Sequence, residues 1–270
     1  MAGCRWYLVC GLFFCTVSAV AQHTDSRADS VAMRILEASG GLDIWDAVPF
    51  LRFDFKLYHK RELVYAIQHL WDKKLGVYRM EMPGPNNEPY VAIFYPDDFV
   101  SKVYWGGSEL TGHAAAAQME RSRMRYFHDV FFLAAPFLLF EPGVQRKYLS
   151  DISSEAEDVL QVTIPHWEGL PSQTFRFYSD RESGRLVRTS YPLPSGEDRS
   201  YVWLDYQEYV TARGNLVFSA RKRAEGRAYL IETSHIMLPP LVGPDLFLSP
   251  VPVLQPVSGS VEPSDPLDSQ

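Results

Sequence analysis

Cysteine is almost missing from this chain. Only three occur, Cys4, Cys10 and Cys15, all within the first 21 residues. That segment has the make-up of a secretory leader: Arg5 gives a positive start, Trp6–Val17 an apolar run, and Ala19-Val20-Ala21 a small-residue cleavage pattern. Cleavage after Ala21 would leave a periplasmic or secreted chain with no thiol, hence no disulfide and no thiolate metal site. Cys10 and Cys15 follow Val9 and Phe14 rather than a small residue, which argues against a lipidated leader. Positive charge is short as well. Lys and Arg number 26 against 33 Asp and Glu, a formal net charge of −7, and loss of Arg5 makes the remainder one unit more acidic. This disfavours nucleic acid and anionic membrane as bulk partners.

Long hydrophobic runs are absent beyond the leader. Val130–Phe140 is uncharged and mostly aromatic or aliphatic, yet its eleven residues fall well below the roughly 20 that a membrane-crossing helix needs. Also missing are His-x-His, His-Glu-x-x-His and paired-carboxylate motifs, a Gly-x-Ser-x-Gly elbow, a phosphate loop and a dinucleotide fingerprint. No catalytic residue, metal site or cofactor is therefore assigned. Of the seven histidines, His128 is the best outsider for catalysis, because Asp129 could orient its ring beside an apolar cleft. Arg121, Arg123 and Arg125 alternate too closely to share a helical face and are expected to solvate a helix end.

What is present is alternation. Leu51, Phe53, Phe55 and Leu57 alternate with Arg52, Asp54, Lys56 and Tyr58, the pattern of a strand with one dry face. Leu63–Trp71, Gly76–Met82, Tyr90–Tyr95 and Phe99–Trp105 come next, separated by short turns. The pattern resumes at Val159–Ile164, Thr174–Tyr178, Arg185–Tyr191, Tyr201–Tyr209, Leu216–Arg223 and Ala228–Leu238. These spacings predict a mainly β (α+β) fold of about eleven strands in one large curved antiparallel sheet.

Two helical parts would cover that sheet. Asp29 or Ser30 can cap an N-terminal helix over Ser30–Ser39, ended by Gly40-Gly41, with a short turn after it at Asp43–Ala47. A central insertion begins as a helix over His113–Tyr126. Pro136 interrupts the apolar run beyond it, so a helix ending near Leu133 and an extended Phe137–Phe140 are expected. Arg221, Lys222 and Arg223 with Arg227 are expected as a basic hairpin tip that guards a sheet edge. Residues 22–248 are predicted to form a single domain, and the Pro- and Ser-rich residues 249–270 a disordered tail.

The order of these segments resembles the periplasmic lipoprotein-carrier superfamily, the LolA/LolB-like lipoprotein-sorting proteins, in a branch found in bacteria with an outer membrane. The residues that carry the resemblance are Ser39-Gly40-Gly41 with Trp45-Asp46, the strand Leu51-Arg52-Phe53-Asp54-Phe55, Trp71-Asp72, Gly76–Arg79, and Phe132-Leu133-Ala134-Ala135-Pro136-Phe137 running to Pro142-Gly143-Val144. Gly169-Leu170-Pro171, Tyr178–Gly184 and Tyr201–Tyr206 extend it. The resemblance implies an unclosed half-barrel whose helical cover leaves an apolar cavity for acyl chains. It implies a lipid or acylated protein as partner, with an envelope protein as a further candidate, and a non-catalytic activity.

On that reading Phe53, Phe55, Trp71, Met80, Phe94, Trp105, Phe131, Phe132 and Phe137 are the candidate lining. Arg79 would pin the cover through backbone carbonyls, and Gly106-Gly107 and Gly143 would serve as hinges. The chain is expected to act as a monomer. The alternatives are a closed core of the same aromatics, an envelope scaffold using the outer sheet face, and a hydrolase acting on lipid or glycan.

Overall fold

The computed structural model describes residues 25–96, 101–165, 170 and 172–254, so the leader expected over residues 1–21 lies outside the described residues. The chain enters its sheet in the middle. Strands β1 (Phe50–His59), β2 (Glu62–Asp72), β3 (Val77–Met82), β4 (Tyr90–Phe94), β5 (Ser101–Trp105) and β6 (Ser108–Glu109) step outward as an antiparallel meander to one edge. Strand β7 (Gln145–Tyr148) forms the other edge. From there β8 (Glu157–Thr163), β9 (Thr174–Asp180), β10 (Leu186–Pro192), β11 (Asp198–Thr211), β12 (Gly214–Ala224) and β13 (Tyr229–Met237) step back to the middle. There β13 pairs with β1, which leaves a single unclosed sheet of 13 strands. The two strands beyond the eleven expected are the two edges, β6 and β7.

Three helices lie on the concave face. Helix α1 (Ser26–Glu37) starts earlier than expected because Asp25, not Asp29 or Ser30, accepts from the amides of Arg27 and Ala28. A second Asp25 oxygen takes the Tyr148 amide at 2.8 Å, which ties the helix to the β7 edge. The short α2 (Leu42–Ala47) brings Trp45 into the core.

Helix α3 (Gly112–Leu138) occupies most of the interval between the two edges. At 1.5 Å per residue it reaches about 40 Å, whereas 13 flat strands would spread about 58 Å; only a curved sheet lets this connection cross its own hollow. The extended Phe137–Phe140 expected from Pro136 is not what forms. Phe137 and Leu138 are helical, and the helix absorbs the missing amide with a kink at Ala134, φ −121° and ψ 18°. Tertiary packing overrides the local preference here, since Leu133, Ala134, Ala135 and Phe137 are all buried in the core. Among the described residues no helix is long and apolar enough to cross a membrane.

Two further expectations are corrected. The β12–β13 hairpin is central, not an edge, and Lys222 is fully buried rather than a solvated tip. Residues 249–254, expected in the disordered tail, form an extended strap on the convex face of β3. The Arg79 guanidinium donates to the carbonyls of Ser249 and Val251 at 2.7 and 2.6 Å, and the amides of Val253 and Leu254 donate to Glu81. Leu254 is 2% exposed beneath them. Proline-rich composition hid a segment whose backbone groups have charged partners.

Gly40 sets how α1 leaves the core. Its φ is +111°, and a Cβ would come within 2.3 Å of the Asn215 carbonyl oxygen on β12. Gly41, φ +87°, has nothing within 4 Å of the same position. Gly40→Ala is expected to lose at least about 2 kcal/mol and Gly41→Ala about 1 kcal/mol. Urea titration of both variants checks this; equal losses would show that the dihedral alone, not the close approach, matters.

Candidate functional site

The candidate site is the interface between α3 and the concave face. Alternation along β1 to β4 puts Phe53, Phe55, Met80 and Phe94 on that face, each at most 1% exposed. His128 and Tyr126 of α3 meet this half of the sheet, at Phe55 and Phe94, while Phe131, Phe132 and Phe137, each 1% exposed, meet the other half and α2. Phe131 packs on Phe175 at 4.5 Å, Phe132 on Tyr201 at 4.9 Å, and Phe137 stacks on Trp45 at 4.4 Å with an interplanar angle of 9°. Trp71 is partly buried against the same cluster, edge-on to Tyr126 at 6.0 Å. Trp105 is the exception: it sits at the rim beside Tyr90, outside the core. Eight of the nine expected lining residues thus belong to one cluster. Phe131 and Phe132 are in direct ring contact, and Phe55, Trp71, Phe94 and Phe137 pack on the neighbouring aromatics Tyr65, Tyr126, Tyr78 and Trp45.

A polar cluster runs from the solvent edge into this apolar interface, with Arg125 and His128 23% and 24% exposed and Asp129 and His69 fully buried. Asp129 on α3 is completely buried. Arg125, one turn earlier, donates to both its oxygens. The neighbouring His128 Nδ1 donates to Oδ1 at 2.8 Å. From the sheet, His69 Nε2 comes within 3.2 Å of Oδ2, a contact without the alignment of a full hydrogen bond. On the other side of that ring, Nδ1 meets the Tyr78 hydroxyl at 2.9 Å, while Phe53 stacks on its face at 4.3 Å. Arg125 also donates to the Tyr65 hydroxyl at 2.6 Å. Helix α3 thereby reaches β2 at two points, through Arg125 at Tyr65 and through Asp129 at His69.

The electrostatics reflect burial and the charge of Arg125. Burial alone would raise the Asp129 pKa, but the adjacent guanidinium and the two histidines outweigh it and hold the group well below the usual carboxylate range. Burial dominates at His69 and pushes its pKa below the ordinary imidazole value, despite the nearby carboxylate. Its neutral form suits the geometry, accepting from Tyr78 at Nδ1 and presenting N–H at Nε2. Burial also pushes Tyr65 up to about 12, which Arg125 only partly offsets.

Stability should therefore depend on pH. Because the folded-state pKa of His69 lies below its unfolded value of 6.5, the unfolded chain binds a proton that the folded one refuses. Stability is then fully present above about pH 6.5 and falls on acidification, by up to about 1.4 kcal/mol per pH unit. Denaturant midpoints at pH 7.5, 6.5 and 5.5 should show this slope, and His69→Gln should flatten it. An unchanged slope in the variant would assign the effect to other groups.

No protein-family model matches the chain, and no curated protein matches it. Among solved structures it is similar to a DUF1329 family protein from Desulfovibrio piger, at 9% identity and TM-score 0.46, covering 82% of this chain and 96% of that one. It is also similar to a LolA superfamily protein from Nitrosomonas europaea, at 14% identity and TM-score 0.45. An outer membrane lipoprotein-sorting protein domain from Vibrio parahaemolyticus gives 10% and 0.45. Both alignments again cover 82% of this chain and 96% of the other.

Arg79 does not pin α3. Strand alternation turns it to the convex face, away from Tyr78 and Met80, where it holds the C-terminal strap. The arginine that secures the end of α3 is Arg146 on β7. It donates to the Leu139 carbonyl at the helix C-terminus, where a cation is favoured, and to Asp29 of α1. Arg125, expected to solvate a helix end, is instead the main partner of Asp129. Its spacing of four residues from Asp129 was the available signal. His128 and Asp129 are brought together as expected, but the carboxylate is shared with Arg125 and His69 rather than left to orient a lone histidine.

Beyond the interface, a surface cavity of about 260 Å³ lies between α2 and the β2–β3 turn, lined by Asp46, Ala47, Val48, Pro49, Lys73 and Lys74. The Lys73 ammonium sits 3.5 Å over the Trp45 ring and donates to the Trp45 carbonyl, and burial pushes its pKa down to about 8.

Proposed function

We propose that this chain is an exported carrier that accepts a lipid or acylated chain on the concave face of its sheet, with α3 as a displaceable cover. The observation that carries the reading is the nature of the α3–sheet interface: an aromatic surface that takes in the fully buried Asp129 and His69, with Arg125 and His128 partly exposed beside them. In a permanently closed core, apolar residues of similar volume would hold such an interface as well or better, because ionised groups are expensive to desolvate. A charged latch instead gives the cover one register when shut and solvated groups when open. Glycines at both ends, Gly106, Gly107 and Gly112 before or at the start of α3 and Gly143 after it, have positive φ. They can absorb the dihedral changes that a swing requires.

Burial of the ligand has to offset the uncovering of the α3 rings and the opening of the latch. At about 0.8 kcal/mol per buried methylene, a long acyl chain contributes on the order of 10 kcal/mol gross, before ordering costs. An acyl tail would take the place of the α3 rings against Phe175, Tyr201 and Phe218. The test is native mass spectrometry of protein recovered from its own cell envelope, together with titration of a fluorescent fatty acid. Co-purified lipid and saturable uptake are expected. Lipid-free protein with no uptake would favour a closed aromatic core.

A further inference from the structure

Lys222 stands out from the concave core. It is 0% exposed, and its β11 pairing partner is Trp203, a core residue. The Nζ donates to the Ser219 carbonyl at 2.6 Å and the Thr233 hydroxyl at 3.0 Å, and lies 5.0 Å from the Trp203 ring centroid. The Thr233 hydroxyl is itself committed to the Ser219 carbonyl at 3.0 Å. Among the described residues no carboxylate reaches ion-pair distance, and two of the three donors of an ammonium are used. Burial accordingly pushes the amine well below its ordinary pKa. Phe132 of α3 overlies the spot, its ring 6.4 Å from that of Trp203.

An unpaired amine in an apolar core is disfavoured by its desolvation against a hydrocarbon side chain of similar length, and neither of its partners needs a cation. We infer that Lys222 anchors the headgroup of the bound molecule, which is an acyl chain ending in a carboxylate. This rests on the carrier reading above. A single remaining N–H suits one carboxylate oxygen; a phosphate, with more charge and more acceptor oxygens, calls for several donors or an arginine fork. Opening α3 would admit the headgroup beside Trp203. The ligand enters as its carboxylic acid and passes its proton to the amine, so that an ammonium faces a carboxylate, and the chain lies along the aromatic face that Phe132 now covers.

The experiment is displacement of the neutral probe N-phenyl-1-naphthylamine by hexadecanoic acid and by hexadecanol, in the unaltered protein and in Lys222→Met. Acid is expected to bind at least about tenfold tighter than alcohol, the ratio a charge-assisted hydrogen bond supplies. Lys222→Met is expected to keep alcohol binding, lose the preference, and melt at a temperature no lower than the unaltered protein. Equal binding of acid and alcohol, or a preference that survives in Lys222→Met, would overturn the assignment while leaving the carrier reading in place. Displacement by neither compound would remove both. If Lys222→Met does not fold, the ratio in the unaltered protein decides, a value near one overturning the anchor.

Discussion

Asp129→Ala is expected to destabilise the fold by about 3–5 kcal/mol, the usual range when one member of a buried charged set is removed. The size comes less from the missing hydrogen bonds than from the groups left behind. Arg125, 23% exposed, would keep the Tyr65 hydroxyl and the Phe55 and Tyr65 rings but lose its counter-charge, and the fully buried His69 would face an empty position. Asp129→Asn, which keeps the shape and one acceptor oxygen, should lose less. The contrast is Lys102–Glu109, a pair 60% and 49% exposed, where Glu109→Ala should fall within about 1 kcal/mol of no effect. Guanidinium titration of the three variants measures this. A small loss in Asp129→Ala would mean that the cluster is solvated and is no latch.

Phe137→Ala should be comparably severe, about 3–5 kcal/mol. Removing this ring opens a hole between Trp45, stacked on it at 4.4 Å, and Phe218 at 6.0 Å. The loss includes about 0.5–1.5 kcal/mol for the stacked pair beyond its buried area. Trp45 fluorescence should shift to the red as the ring gains freedom and water. The same hole makes room for an alkyl tail, so fatty-acid uptake by whatever fraction remains folded should rise. Loss of stability without any change in uptake would mean that this end of the core takes no part in binding.

Much of the sheet was legible because its dry face repeats every second residue. Leu51, Phe53, Phe55 and Leu57 announce β1 unaided, and His69 is in phase with Ile67 and Trp71 on β2. The elements that stayed hidden had no such signature. Gln145–Tyr148 is polar and charged along most of its length, since an edge strand is held by backbone pairing with β8 rather than by burial. The continuation of α3 past Pro136 was hidden because a local rule about proline met a core able to hold the kinked turn. Lys222 lies between the charged Arg221 and Arg223, a triplet with the composition of a solvated tip. Its phase with Leu216, Phe218 and Ala224 was the sign that it points inward. The partnership of Asp129 with His69 joins distant positions on α3 and β2, and no local pattern encodes it. Residues 249–254 looked unstructured by composition, and only the buried Arg79 and Glu81 beneath them give them a place.

The most direct test of the account is hydrogen exchange of the α3 amides with and without hexadecanoic acid, compared with the strands. If α3 is a displaceable cover, acid should lower protection across residues 126–138 while β1, β2, β12 and β13 stay protected. If acid binds and α3 keeps or gains protection along its whole length, the helix is a fixed part of the core, and a moving cover is contradicted.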